Sequence, residues 1–426
     1  MALVVIFISL LAVMFLGAST AVSLGVIPIF TFLAAGQAGN LAIIAQRMFS
    51  SVTGVTLLAI PFFLLMGTFM NEGGISTRLF KFAKVTVGHF PGGLAIADVL
   101  ACTIMAAMSG SAIASAAGLG MIAINEMDEA GYGRKFPAAL TACAATLGPI
   151  IPPSITFVVF ASLTGESVSD LFAAGIVPGV FLALCMMVMS TIVAKKRGIP
   201  RSPKSSLKEK RDGLRQAFLP LLVPVIVLVG IFGGFATTTE AAAIAAFYSA
   251  ILGIFVYKEI KLKDLPRIFW TTVEQIAKIM FVIAVAGFFQ YVLMNLRIPQ
   301  IAVSLISQVT TNPYLILLII ISVYLILGCF LEGNAIILIS IPIFVPIVQS
   351  FGYSLIQFAV VMAMAVDVGL ITPPLGLNVY TVASISGEGI LDIAKEAVPF
   401  IILMIAVTIV IAFVPWFSIT LPAIFK

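Results

Sequence analysis

The chain has 426 residues, of which 61% are hydrophobic and 10% charged, and its formal net charge at pH 7 is +5. Soluble domains carry about 25% charged residues, so this composition excludes a soluble globular protein and predicts an integral membrane protein. Apolar runs of roughly 20 residues recur along the chain, which is the length of a transmembrane helix and not the alternating pattern of a membrane β-barrel.

Motifs of enzymes and nucleotide-binding proteins are absent from the sequence. There is no GxxxxGK[ST] phosphate-binding loop, so we expect no ATP hydrolysis. The four cysteines lie in apolar segments without metal-ligand spacing, and the one histidine, His89, lies in a predicted loop. We therefore expect no enzyme, and the basic charge of the loops indicates orientation in the membrane and not nucleic-acid binding.

Five membrane spans are predicted in the first half, near residues 1–17, 20–35, 52–73, 136–164 and 171–194. The apolar N-terminus lacks a basic region and a cleavage site, so we interpret it as a span and not as a signal peptide. Segment 91–125 lies between two loops, 76–90 and 126–135, that together carry five lysines and arginines. Because these residues concentrate in cytoplasmic loops, segment 91–125 is predicted to be a re-entrant hairpin with its tip near Ser109–Ser111.

A hydrophilic linker, 195–215, follows the first half. Nine of its residues are basic, so we expect it to be irregular and cytoplasmic; a patch that binds anionic lipids would fit the same charges. The second half has a predicted hairpin at 313–349, with its tip near Glu332–Asn334, and a possible interfacial helix within 261–278. Its predicted spans lie near 217–235, 238–257, 272–295, 354–385 and 398–418.

The two halves are related by an internal duplication. At an offset of 221 residues, 131–158 aligns with 352–379 without gaps, and 10 of the 28 pairs are identical. The loops of the second copy that correspond to the basic loops of the first carry only Arg297, so the two copies are predicted to face opposite sides of the membrane. Five crossings in each copy then place both termini in the periplasm.

The predicted fold is therefore an all-α integral membrane protein made of an inverted repeat. Repeat 1 covers 1–194, the linker 195–215 and repeat 2 216–426. Together they comprise about ten spanning helices, two re-entrant hairpins and two broken helices, 136–164 and 354–385.

Each copy has a Pro-Pro pair inside an apolar span, in GPIIPPS (148–154) and GLITPPL (369–375). Proline lacks an N–H and frees the carbonyl four residues before it, so the carbonyls of Gly148, Pro149, Gly369 and Leu370 lose their helical donors. A bare carbonyl in hydrocarbon costs several kcal/mol, which a bound cation would offset. Interrupted helices at matching positions of inverted repeats mark the binding site of a secondary transporter. The structural alternative is a kink that serves packing only.

The predicted hairpin tips, MSGSAIAS (108–115) and FLEGNAI (330–336), supply hydroxyl, amide and carboxylate oxygens of the kind that Na⁺ prefers. Glu332 is predicted to be a ligand or a gate, because buried intramembrane acids are functional by default. Asp367 is either a ligand or a helix cap. Structural roles near helix ends are expected for Asp98 and Glu240, and Arg47 and Arg78 are interpreted as interfacial anchors and not as substrate clamps. An anionic substrate would then be held by helix N-termini and neutral polar groups.

The ordered set MSGSAIAS, GPIIPPS, FLEGNAIILISIPIFVPI and GLITPPLGLN resembles the large membrane subunit of tripartite ATP-independent periplasmic (TRAP) transporters, along nearly the whole chain. The resemblance implies a sodium-coupled importer of small carboxylates, such as dicarboxylates, keto acids or sialic acid, in the bacterial inner membrane. It further implies an elevator mechanism, two or more coupling Na⁺ ions, a periplasmic substrate-binding protein and a separate small membrane subunit of about four helices.

The resemblance also implies site residues. One sodium site would comprise Ser109, Gly110, Ser111, Gly148 and Pro149, and the other Glu332, Gly333, Asn334, Gly369 and Thr372. The substrate would contact Ser111, Ser154, Asn334, Thr372 and Asn378. Such families often have aspartate where Glu332 stands.

Three alternative functions remain at this stage. A stand-alone sodium- or proton-coupled carboxylate symporter of similar architecture would transport without a binding protein. A channel would conduct passively, without a fixed sodium stoichiometry. An intramembrane enzyme is disfavoured, because the sequence contains no HExxH motif and no paired catalytic acids.

Overall fold

Helices make up almost the whole of the computed structural model, which describes residues 2–34, 36, 42–199, 201 and 203–425. The first half contains α1 (Ala2–Phe15), α2 (Thr20–Ala34), α3 (Ala42–Val52), α4 (Ala59–Glu72), α5 (Ile75–Val87), α6 (Gly93–Ser109), α7 (Ala112–Glu129), α8 (Lys135–Ala144), α9 (Ile155–Thr164) and α10 (Val168–Lys196). The second half contains α11 (Leu207–Phe232), α12 (Thr238–Ile251), α13 (Leu265–Asn295), α14 (Ile298–Val309), α15 (Pro313–Gly328), α16 (Gly333–Ser350), α17 (Leu355–Gly369), α18 (Leu377–Ser386), α19 (Ile390–Phe413) and α20 (Trp416–Ile424).

The all-helical membrane architecture is confirmed. Seven helical stretches within the described residues are long and apolar enough to cross a membrane. Several of them carry large apolar side chains that are exposed, for example Phe218 and Val229 of α11 and Ile402 of α19. In water such faces would be costly, whereas in a bilayer they contact lipid chains.

Side-chain caps fix two of the helix starts. Glu209 N donates to Ser206 Oγ (3.1 Å) at the start of α11, and Glu240 N donates to Thr237 Oγ1 (3.3 Å) at the start of α12. In both, the glutamate carboxylate accepts the backbone N–H of the capping residue, which completes a capping box. The structural role predicted for Glu240 is therefore confirmed.

The prediction of a loop at 76–90 is wrong, because most of this segment forms α5. Ile75, Leu79 and Ala83 recur one turn apart and are fully buried, whereas Lys81 is exposed. The charges thus line the outer face of an amphipathic helix. In the second half, α14 occupies the corresponding place before the hairpin.

The irregular part of the linker is also shorter than predicted. α10 continues to Lys196 and α11 begins at Leu207, so 11 of the 21 residues of segment 195–215, at its two ends, are helical. α13 runs without interruption from Leu265 to Asn295. Most of the stretch 261–278 is therefore the beginning of a long span and not a separate interfacial helix.

The two halves interlock through pairs of equivalent contacts. α2 packs on α13 and α4 on α12, while α7 packs on α18 and α16 on α9. Within each pair, the second contact joins the duplicated counterparts of the two helices that meet in the first. The interior lies around 136–161 and 357–371, where every residue is buried. The first Pro-Pro pair lies inside it and the second just beyond its end.

Candidate functional site

The first Pro-Pro segment interrupts a helix completely. α8 ends at Ala144, a short 3₁₀ turn follows, and α9 begins only at Ile155. Both half-helices have 10 residues, which at ~1.5 Å per residue span about 15 Å, or half of a ~30 Å hydrocarbon core. Two such half-helices with a break between them are together about as long as the hydrocarbon core is thick.

Ser154 partly repairs the first break. Its hydroxyl donates to the carbonyl of Pro149 and accepts the N–H of Phe157 (3.2 Å) at the start of α9. One of the two carbonyls that the prolines free is thus already hydrogen-bonded. No donor among the described residues reaches the carbonyl of Gly148. Gly148 therefore presents an uncompensated backbone oxygen in a buried position, which a cation could bind.

The tip of the first hairpin contacts this break through its backbone. Gly110 joins α6 to α7 with φ +60°, and a Cβ there would lie 2.6 Å from the carbonyl oxygen of Pro153. Conversely, a Cβ on Gly148 would lie 2.8 Å from the carbonyl carbon of Ser111. Because both contacts exclude a side chain, the two glycines allow tip and break to form one surface.

The serines of this tip bond mainly to one another. The hydroxyls of Ser109 and Ser115 are 2.7 Å apart, and the Ser111 hydroxyl accepts the N–H of Ala114 (3.4 Å) at the start of α7. The N-termini of α7 and α9 both begin at this surface. Helix N-termini carry partial positive charge and favour anions, so the surface combines anion-binding N–H groups with cation-binding oxygens.

The second hairpin tip has a different cap. Glu332 precedes α16 and accepts the N–H of Ala335 (3.3 Å) with one carboxylate oxygen and the amide of Asn334 (2.7 Å) with the other. Its side chain is only half-buried. A negative charge of the protein itself therefore occupies the helix N-terminus that corresponds to the start of α7.

The second break is closed by backbone contacts. A Cβ on Gly369 would lie 2.3 Å from the Cα of Gly328, and Leu375 N donates to the carbonyl of Cys329 (3.1 Å). Both freed carbonyls have donors within the break, since Thr372 N reaches Gly369 O (2.9 Å) and Asn378 N reaches Leu370 O (3.0 Å). Gly328 was not predicted from the sequence. A glycine at the end of a long apolar run is a helix-termination signal and could have identified it.

The two breaks lie side by side. The side-chain amide of Asn378 donates to the carbonyl of Ala142 (3.2 Å), and Arg134 donates to the carbonyl of Ser386 (3.2 Å). The start of α8 thus lies against the end of α18, and the end of α8 against the start of α18. The two half-helices run in opposite directions, and their broken ends adjoin.

Polar contacts explain several of the remaining charged residues. Thr141 of α8 donates to the buried carboxylate of Asp98 (2.8 Å) in α6, which ties the first hairpin to the broken helix. Arg78 forms an ion pair with Glu259 (3.0 Å), and the Arg47 guanidinium lies 4.6 Å from the ring centre of Tyr291. The first contact supports the structural role expected for Asp98, and the other two give Arg47 and Arg78 partners within the protein.

The predicted site residues cluster in two places within the structure. Ser109, Gly110, Ser111, Gly148, Pro149 and Ser154 lie at the first tip and break, and Glu332, Gly333, Asn334, Gly369, Thr372 and Asn378 at the second. Ser154 and Asn378 are fully buried, so a substrate could touch them only after a rearrangement. No cluster of histidine, cysteine and acidic side chains suited to a transition metal occurs in the described part of the chain.

Comparison with known proteins gives a consistent set of similarities. Residues 7–417 match the family model "Tripartite ATP-independent periplasmic transporter, DctM component". The chain is 42% identical to the C4-dicarboxylate TRAP transporter large permease protein DctM of Pseudomonas aeruginosa, over 89% of both chains. It is 35% identical to the sialic acid TRAP transporter large permease protein SiaM of Vibrio cholerae, again over 89% of both chains.

Two further similarities concern length and fold. The isethionate TRAP transporter permease protein DctMQ of Oleidesulfovibrio alaskensis is 36% identical over 94% of this chain, which covers 63% of that longer protein. Among solved structures, the YdaH transporter of Alcanivorax borkumensis superposes with a TM-score of 0.65 over 90% of both chains, at 16% sequence identity. The latter similarity concerns the fold alone.

Proposed function

Since this chain belongs to the DctM family, the large permease component of TRAP transporters, we propose that it forms the transmembrane path of a sodium-coupled importer of small carboxylates. It is a multi-pass membrane protein of the bacterial inner membrane, and a transporter rather than an enzyme. Dicarboxylates and sialic acid, the substrates named for its relatives, are the first candidates.

One observation supports this proposal most strongly. Two broken helices lie side by side and run in opposite directions, and each packs against the tip of its own hairpin. The contacts of Arg134 with Ser386 and of Asn378 with Ala142 define the crossing. Such a junction near the middle of the bilayer exposes backbone oxygens and helix ends that continuous helices would satisfy internally. In secondary transporters this arrangement holds the substrate and the coupling ions.

The residues at the first tip and break fit a sodium ion. The carbonyl of Gly148 has no donor among the described residues, and the backbone of Ser111 lies against it. Ser109 and Ser111 add hydroxyl oxygens. Pro149 is a weaker candidate than predicted, because Ser154 already donates to its carbonyl. Sodium, when bound, would supply the positive charge that this surface lacks.

The second site would rely on side chains more than on free carbonyls. The backbone of the break satisfies Gly369 O through the N–H of Thr372, so the carboxylate of Glu332 and the hydroxyl of Thr372 supply the remaining oxygens, with Asn334 and Gly333 beside them. The carboxylate of a substrate would be repelled by Glu332. We therefore assign the substrate carboxylate to the N-termini of α7 and α9, next to Ser111.

The packing supports an elevator movement. Both hairpins and both broken helices pack on one another, whereas α2, α4, α12 and α13 pack together as a second group. The amphipathic helices α5 and α14 connect the two groups. We propose that the first group carries substrate across the membrane against a scaffold formed by the second, with the linker in the cytoplasm and both termini in the periplasm.

Two partner proteins complete the proposed transporter. A periplasmic binding protein would deliver the substrate, and a small membrane subunit would brace the scaffold. The greater length of the DctMQ relative is consistent with such a subunit being joined to the large one in some systems. In this system we expect it to be a separate chain.

The test is uptake of a labelled carboxylate into proteoliposomes that contain the complete transporter. Uptake should require an inward sodium gradient, the binding protein and an intact Ser111, and an inside-negative potential of about 100 mV should add roughly 2.3 kcal/mol per sodium charge. Uptake that is equally fast with potassium replacing sodium would refute sodium coupling. Uptake without the binding protein would favour the stand-alone symporter.

A further inference from the structure

Three buried side-chain oxygens in the described part of the chain have no hydrogen-bond partner: Asp367 Oδ2, Asn378 Oδ1 and Ser418 Oγ. Asp367 and Asn378 flank the second break, and their exposed fractions are 2% and 0%. Neither the sodium sites nor the substrate position proposed above uses Asp367. Two buried acceptor oxygens without a hydrogen-bond partner therefore lie at the second break, and the sites proposed above do not account for them.

The backbone brings these two residues to the same turn. Asn378 N donates to the carbonyl of Leu370 (3.0 Å), and Leu370 lies three residues, or one helical turn, after Asp367. The side-chain amide of Asn378 is held by the carbonyl of Ala142. Its oxygen is therefore fixed at the junction of the two broken helices and cannot exchange places with the nitrogen without losing that bond.

All charges at this turn have the same sign. Asp367 lies in the last turn of α17, where the helix dipole already contributes partial negative charge. The seven ion pairs within the described residues involve other carboxylates. An ionised carboxylate at such a position is strongly disfavoured unless a cation joins it. While Asp367 is ionised, its oxygens and the amide oxygen of Asn378 are all acceptors and cannot satisfy one another.

The duplication shows that this feature belongs to one half only. At the offset of 221, Thr146 corresponds to Asp367 and Phe157 to Asn378. The hydroxyl of Thr146 donates to the carbonyl of Cys143 (2.6 Å), and phenylalanine has no polar group. Packing at this position thus needs neither a carboxylate nor an amide, which argues against a purely structural role for the pair.

We propose that Asp367 and Asn378 supply a carboxylate and an amide oxygen to a third monovalent-cation site, on the buried side of the second break. It is additional to the two sodium sites at the hairpin tips. The choice of Na⁺ as its ion rests on the proposed function, whereas the need for a cation rests on the orphan oxygens alone. Carboxylate and amide oxygens are hard ligands that suit Na⁺.

The experiment is equilibrium binding of radioactive sodium to the purified full-length protein in lipid nanodiscs, with choline as the replacing cation. Asp367→Asn should bind one Na⁺ fewer per chain than the unaltered protein. The matched control is Asp98→Asn, which neutralises a buried carboxylate that already has Thr141 as a donor, and it should bind the same number as the unaltered protein.

A second variant keeps the test decisive should Asp367→Asn fail to fold. Asn378→Ala removes the orphan amide oxygen, together with the hydrogen bond to Ala142 O, and leaves the charge in place. It should raise the half-saturating sodium concentration of one site only, by at least about fivefold. Unchanged stoichiometry in Asp367→Asn, or unchanged affinity in Asn378→Ala, overturns the third site. Absence of sodium binding in the unaltered protein would instead defeat the sodium coupling proposed above.

Discussion

The two breaks come from one duplicated motif, yet they are stabilised differently. The first is buried throughout, and a serine hydroxyl repairs it. The second exposes Pro373, Pro374 and Leu375, backbone N–H groups repair it, and it is flanked by the acids Glu332 and Asp367. Both copies of the duplication thus contain the helix break, whereas the groups that hydrogen-bond the freed carbonyls differ between them.

The difference also predicts separate tasks for the two halves. Neutral hydroxyls and two helix N-termini at the first break favour an anion, whereas the carboxylates at the second favour cations. The substrate and the more strongly held ions are thereby assigned to opposite sides of one junction. The variants that follow test this division, beginning with the largest expected effect.

Gly110→Ala should abolish the close contact of the first tip with its break. The left-handed backbone alone costs about 1–2 kcal/mol, and the added Cβ would lie 2.6 Å from Pro153 O, so we expect uptake to fall more than about tenfold. Gly165→Ala is the matched control, because its φ is +78° and no atom lies within 4 Å of the added Cβ. Equal loss of uptake in both variants would show that strain, and not the tip contact, matters.

Ser154→Ala should destabilise the first break more than Thr372→Ala destabilises the second. Ser154 is the donor to Pro149 O and caps α9, so its loss leaves a buried acceptor unsatisfied at a cost of about 1–3 kcal/mol. The carbonyls of the second break receive backbone N–H groups, which Thr372→Ala retains. Thermal unfolding in detergent measures both. A lower Tm for Thr372→Ala than for Ser154→Ala would contradict the assignment of donors.

Glu332→Gln should weaken sodium binding while leaving the helix cap largely intact. Glutamine retains an oxygen that can accept the N–H of Ala335, but it removes the negative charge that would attract a cation. We expect the half-saturating sodium concentration for uptake to rise about tenfold, with a much smaller change for Glu240→Gln, which neutralises a helix-capping carboxylate outside the two sites. An unaltered sodium dependence would exclude Glu332 from the second site.

The smallest effect is expected where the two broken helices approach the membrane surface. Lys135 donates to Asp392 (2.7 Å), and this hydrogen bond raises the pKa of Lys135 above its usual value. The stabilisation from this pair is therefore present at neutral pH and lost as the pH rises through the raised pKa. Lys135→Gln should lower Tm slightly at pH 7 and have less effect at high pH. Lys195→Gln, at an exposed lysine, is the control and should leave Tm unchanged at either pH.

Much of this arrangement could be predicted from the sequence, because proline chemistry is local. Pro152 and Pro373 lack N–H groups wherever they stand, so the positions of both interruptions follow from the chain alone. The donors that repair the breaks could not be predicted in the same way. Ser154 reaches the carbonyl of Pro149, and the backbone N–H of Asn378 that of Leu370, only because of the way the chain turns between the two half-helices.

The error at 76–90 has a different cause. The charges of this segment favour a loop, whereas Ile75, Leu79 and Ala83 have the spacing of a buried helical face. Helical periodicity, and not charge, was the informative signal there. The crossing of α8 and α18 also could not be predicted, since it depends on contacts between residues that are far apart in sequence.

The exchange of contacts between the halves has a consequence for how this molecule arose. α7 lies on α18 and α16 on α9, so a single copy would leave the apolar flank of its hairpin without a partner. A half-length unit would therefore need a second copy beside it to cover that flank. Joining two copies in one chain allows their ends to differ, as the different groups at the two breaks do.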